Sequence, residues 1–207
     1  MTGTPKGIES IARPPKNLHF TVYWVPIALD EGQLIHLKQW LAQLDQHLKH
    51  LVPVASITFE PLPESEVSRY TQAVALGNIP DPADYGIIDN SFLVVTSSQD
   101  HPLRDFCLEI NKVAESGCCH IGLPQCNVYQ PDDAYTLWHE IYHLFGAEDC
   151  YTVGPDGEIA DEGPTCGEAD CIMQYGVKSQ LDGKRPHLCS ENVELIKSWL
   201  DMRARSP

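Results

Sequence analysis

Apolar positions along this chain repeat at two periods, and the alternation between them outlines the elements. NLHFTVYWV, from Asn17, is rich in β-branched and aromatic residues and predicts a strand. Pro5, Pro14 and Pro15 make residues 1 to 16 an irregular arm before it. From Glu31, Leu34, Leu37, Leu41, Leu44, Leu48 and Leu51 recur at spacings of three and four, which predicts one long helix that Pro53 ends. VASITFEPL and SFLVVTSS read as two further strands, and CHIGLPQCNVY as a fourth, bent at Pro124. Between them, Leu103, Phe106, Cys107, Ile110 and Val113 form a second helical stripe. The expected class is a sheet with helices packed against it, α+β with an α/β-like upper part.

Composition narrows the function classes. At 207 residues and 43% hydrophobic content, the chain can bury one substantial core, or one core with a small appended lobe. Fourteen Lys and Arg against 29 Asp and Glu give a formal charge of −15 with no basic patch, so a nucleic-acid partner is not expected. No apolar run approaches the roughly 20 residues of a membrane helix, and the N-terminus lacks a signal peptide's apolar segment. A soluble chain is expected, cytoplasmic in preference to secreted, with the alternative that a leader was removed before this sequence begins.

The chemistry is concentrated in HEIYHLFGAEDC, residues 139 to 150. Asp132 and Asp133 supply a helix start after Pro131, and Leu137, Trp138, Ile141 and Phe145 form the apolar stripe. His139 and His143, one turn apart on another face, can converge on one ion while Glu140 reaches a water bound there. The same spacing can also arise by accident in a histidine-rich chain; His36, His47 and His50 are expected to be merely solvated or satisfied. Gly146 follows three residues after His143, where a helix that presents a metal must stop, and Asp149 follows three residues later. HExxHxxGxxD thus supplies His139, His143 and a carboxylate, the three protein ligands of a catalytic zinc with an open position.

This stretch resembles the metzincin clan of zinc endopeptidases, whose pattern is HExxHxxGxxH with aspartate last in some members. CIMQYG resembles the clan's Met-turn, which implies that Met173 lies beneath the metal and that Tyr175 is near it as an oxyanion donor. The resemblance implies a mixed sheet with the active-site helix, to about Gly146, above a smaller lower part from Ala147 that contains the Met-turn and a closing helix from Ser190. Residues 17 to 207 would then form one metallopeptidase domain. It also implies a zinc-dependent peptidase, with a peptide or protein substrate and Glu140 as general base. CGEADCIM matches the Cx4CxM element of archaemetzincins, in which four cysteines hold a second, structural zinc. Here about fifteen residues separate Cys150 from Cys166, and the closing CxxC is reduced to Cys189 with Asn192 in the last place.

Cys150, Cys166, Cys171 and Cys189 therefore have three open states: a structural zinc, two disulfides, or free thiols. The loop between Cys150 and Cys171, with Asp156, Glu158, Asp161 and Glu162, also raises calcium, but Thr152 and Gly154 break the EF-hand pattern and a solvated acidic loop is the simpler expectation. Two rival functions stand beside the peptidase. One is a non-catalytic module held by zinc or cysteines, against which Glu140 speaks because zinc binding alone does not need it. The other is a zinc hydrolase of a non-peptide bond.

Overall fold

The computed structural model describes residues 18–51, 55–78, 80–97, 101, 117–119, 124–130, 133–152, 165–174 and 187–205. The arm at 1–16, the stripe from Leu103 to Val113, the acidic residues Asp156 to Glu162 and Tyr175 lie outside them. The elements run β1 (Leu18–Ile27), α1 (Glu31–Leu51), β2 (Ala55–Pro61), α2 (Glu64–Ala75), a 3-10 turn (Pro82–Tyr85), β3 (Ser91–Ser97), β4 (Gly117–Cys119), β5 (Gln125–Val128), α3 (Ala134–Leu144) and α4 (Ser190–Arg205). Among the described residues this is a mixed α and β fold, four helices with a five-stranded sheet in the order β2-β1-β3-β5-β4. β1 pairs in parallel with β2 and β3, β3 pairs in parallel with β5, and β4 runs antiparallel to β5 at the edge. No helix among the described residues is long and apolar enough to cross a membrane.

The central strands are apolar on both sides because both faces of the sheet are covered. Phe20, Val22, Phe92, Val94, Cys126 and Val128 face a core shared with the leucines of α1 and with Leu137, Trp138 and Ile141 of α3. Val25, Ile27, Leu93 and Val95 face a second core with Tyr70 and Val74 of α2. Leu37, Leu41, Leu44 and Leu48 of α1 are all buried, at a site where truncation to alanine costs about 2–5 kcal/mol each. His36 and His50 are exposed and His47 rests beside Trp138, 5.7 Å between ring centroids.

One expectation requires correction. CHIGLPQCNVY does not form one bent strand. Cys119 ends β4, Gln125 begins β5, and the two run antiparallel with Cys119 opposite Cys126. Pro124 cannot donate to a ladder and stands directly before β5, so the second strand begins only after it. α2 was not among the elements that the sequence pattern predicts. Its stripe of Val67, Tyr70 and Val74 is carried on a mostly polar segment whose start, after Pro63, has no side-chain cap, so its helical signal is weak.

Candidate metal centre

α3 is set in place by both of its ends. At the start, the Asp133 carboxylate accepts from the N–H groups of Tyr135 and Thr136 at 3.2 and 3.4 Å and from the Thr136 hydroxyl at 2.7 Å. At the end, the Gly146 N–H donates to His143 O (3.0 Å) and the Ala147 N–H to Tyr142 O (3.1 Å), the two bonds of a Schellman stop. Gly146 has φ +88°, and a Cβ there would stand 3.0 Å from the Trp199 side chain. Glycine at 146 thus meets a backbone demand and a packing demand together.

That stop brings the Ala147 carbonyl to 2.9 Å from Nδ1 of His143. Nδ1 of His139 meets the Ile172 carbonyl at the same 2.9 Å. A carbonyl only accepts, so both Nδ1 atoms carry protons and both Nε2 lone pairs point elsewhere. They point at each other, 3.2 Å apart, and Asp149 Oδ1 lies 3.2 and 3.3 Å from the two. Ligands at about 2.0–2.1 Å around a tetrahedral zinc are about 3.3 Å from one another, so these three atoms occupy three corners of such a tetrahedron. The triad is a candidate metal group by its donor chemistry as well.

Charge behaves accordingly. Burial opposes a proton on His139, but the Asp149 carboxylate and the nearby Glu140 outweigh it and push the imidazole up to about 9. Burial would raise Asp149, yet its hydrogen bonds with His139 and His143 hold it well below the usual carboxylate range. The site concentrates negative charge around two imidazoles and so favours a cation. Glu140 is almost fully buried, and burial raises its pKa against the opposing pull of the two histidines. Its side chain rests on Gly117 of β4: a Cβ at 117 would fall 2.7 Å from Glu140 Cγ and 2.8 Å from Oε1.

Behind the triad the chain doubles back. Met173 is fully buried, its carbonyl accepts from the Cys150 N–H at 2.7 Å, and Ile172, one residue earlier, supplies the carbonyl that orients His139. Cys150, Cys166, Cys171 and Cys189 converge in a second group. Cys150 Sγ is 3.7 Å from Cys171 Sγ and 3.8 Å from Cys189 Sγ, whereas sulfurs at about 2.3 Å around a tetrahedral zinc are separated by about 3.8 Å. All four are free, so the two-disulfide alternative for them does not hold here. Not every cysteine is free: Cys118 is disulfide-bonded. Cys118 stands on the opposite face of the sheet, with Tyr70 and Tyr129, away from both groups.

His139, Glu140, His143, Asp149, Met173 and the four cysteines are thus brought together. Glu148 is exposed and contributes only its main chain, while His187 pairs with Glu168 at 2.7 Å, outside the triad. Two residues of the site carry no motif signal. Gly117 was discoverable only as a glycine beside a strand, a sign of close approach. Asn192 marked a departure from a cysteine pattern, yet its side chain is hydrogen-bonded to two of the cysteine sulfurs. In comparison with known proteins, no family model and no curated protein matches this chain.

Proposed function

We propose that this chain is a zinc-dependent peptidase of metzincin type, with His139, His143 and Asp149 holding the catalytic ion and Cys150, Cys166, Cys171 and Cys189 a second, structural one. The observation that carries this reading is a single one: three donor atoms at tetrahedral spacing, their tautomers fixed by carbonyls, with a buried glutamate beside them. A purely structural site would close its fourth corner with another protein donor, and among the described residues the triad has none.

Bound by His139, His143 and Asp149, zinc would supply Lewis acidity and would lower the pKa of a water to about 7. Glu140 takes the proton of the attacking water and hands it to the departing amine, a task suited to a carboxylate whose affinity for protons burial has increased. The Ile172 and Ala147 carbonyls keep the imidazoles fixed through the cycle. Tyr175, two residues beyond Met173, is the candidate oxyanion donor by resemblance alone.

Purified, metal-loaded protein incubated with a peptide library, with and without chelator, tests the proposal by mass spectrometry of the products. Chelator-sensitive cleavage is expected. An intact library with both sites metallated would overturn the peptidase reading and leave a metal-bound binding module or a hydrolase of another bond.

A further inference from the structure

We infer that Asn192 is a positioning residue that couples the cysteine group to the third ligand of the histidine site. The inference rests on the metal-binding reading above. Asn192, in the first turn of α4, is buried and uses both ends of its amide. Oδ1 accepts from the Glu148 N–H at 2.7 Å, and Nδ2 donates to the Glu148 carbonyl at 3.0 Å. The main chain one residue before Asp149 is therefore held as a strand partner would hold it. The same Nδ2 lies 3.3 Å from Cys150 Sγ and 3.4 Å from Cys189 Sγ. Cys150 in turn is the residue immediately after Asp149.

The third ligand is thus bracketed. On one side its neighbour is clamped by Asn192; on the other its neighbour is a member of the cysteine group that the same amide touches. An N–H aimed at two sulfurs interacts best when they are thiolates, and thiolates converge at that spacing only around a cation. Filling the cysteine group therefore strengthens the orientation of the Asn192 amide, which tightens its grip on Glu148 and fixes where Asp149 is delivered. Ile172, joined in sequence to Cys171, does the same for His139 through its carbonyl. The two sites then share a coupling free energy, and linkage makes it reciprocal. Asparagine suits this role because it offers a donor and an acceptor on one short, planar group; a ligand at 192 would bind the ion and release Glu148.

The wild-type chain gives the first test. One equivalent of cadmium, which favours thiolates, is added to metal-free protein and exchange of the Glu148 amide hydrogen is followed. The inference expects exchange to slow at least tenfold; an unchanged rate overturns it. In the second test, cadmium-loaded Asn192→Ala is compared with cadmium-loaded wild type for zinc affinity at the histidine site and for the cadmium-113 resonance. The expected result is an affinity loss of about 10–100-fold, typical of an outer-shell partner, with cadmium still bound and its resonance shifted. Wild-type affinity or an unmoved resonance overturns the inference. If the alanine variant does not fold, the wild-type exchange measurement decides the matter. Should either site take up no metal in the wild type, the underlying reading falls and this inference with it; metals that bind without influencing each other overturn the inference alone.

Discussion

Gly117 and Glu140 are in contact across the space that a side chain at 117 would occupy, with the position of a Cβ only 2.7 Å from Glu140 Cγ. The flat edge of β4 is therefore part of the mould that shapes the carboxylate. Gly117→Ala should fold, because the residue it displaces is a side chain and not backbone, but it should push Glu140 out of place. A displacement of about 1 Å at a reacting group costs on the order of 10²-fold in turnover. The expected outcome is that loss in kcat with both metals retained; wild-type kcat would show that the contact is incidental.

Removing the carboxylate separates chemistry from binding. Glu140→Ala should lose about 10²–10⁴-fold in turnover, the usual contribution of a general base, while the zinc content of the purified protein stays at the wild-type level. Full activity in a metal-loaded variant would remove the mechanism.

Asp149→Ala should lose most of the metal at the histidine site, since two imidazoles alone leave zinc under-coordinated. Glu148→Ala and His187→Ala should keep it, the first because only its main chain is used and the second because its partner is Glu168. Metal analysis with cadmium in the cysteine group reads the difference directly. Retention without Asp149 would reassign the third ligand.

The histidine site also sets a pH dependence with two opposite slopes. His139 ordinarily titrates at 6.5 and is raised to about 9 in the folded, metal-free chain, so its proton stabilises that form fully below pH 6.5 and is lost as pH rises to about 9. Zinc needs the same nitrogen bare, so its affinity should rise across the same window as proton competition fades. Denaturant unfolding of metal-free protein and zinc competition titrations, both from pH 6.5 to 9, should slope in opposite directions. Two flat profiles would mean that His139 does not carry this proton.

Thiol counting distinguishes the cysteine states. Denatured without reductant in the presence of chelator, the chain should show six thiols, eight cysteines less the two sulfurs of the Cys118 disulfide, and release two zinc ions. Two thiols or fewer would draw the cysteine group into a disulfide, because only Cys119 and Cys126 among the free cysteines lie outside it.

The site was legible in the sequence wherever one element carries it. His139, Glu140 and His143 share a helix whose start and stop are both written in residues, Asp133 and Gly146, and Asp149 follows at a fixed offset. β1, α1, β2 and β3 were legible because their apolar periods are strong. What could not be read is what depends on chain segments meeting. The hairpin of β4 and β5 depends on pairing partners, and Gly117 matters only because an edge strand passes over α3. Asn192 appeared as a defect in a cysteine pattern until its amide was seen between Glu148 and two sulfurs. The disulfide at Cys118 was equally hidden, since spacing alone cannot pair eight cysteines.

The carbonyl that orients His139 belongs to Ile172, 33 residues further along the chain, and the clamp on Glu148 belongs to Asn192, 44 residues beyond it. During synthesis from the N-terminus, the whole sheet and α3 are made before either partner exists. A nascent chain ending at Asp149 has its HExxH helix but lacks the groups that fix an imidazole tautomer and present the carboxylate. The geometry of the triad is therefore completed last, once the Ile172 carbonyl and the Asn192 amide have been made and α4 has docked.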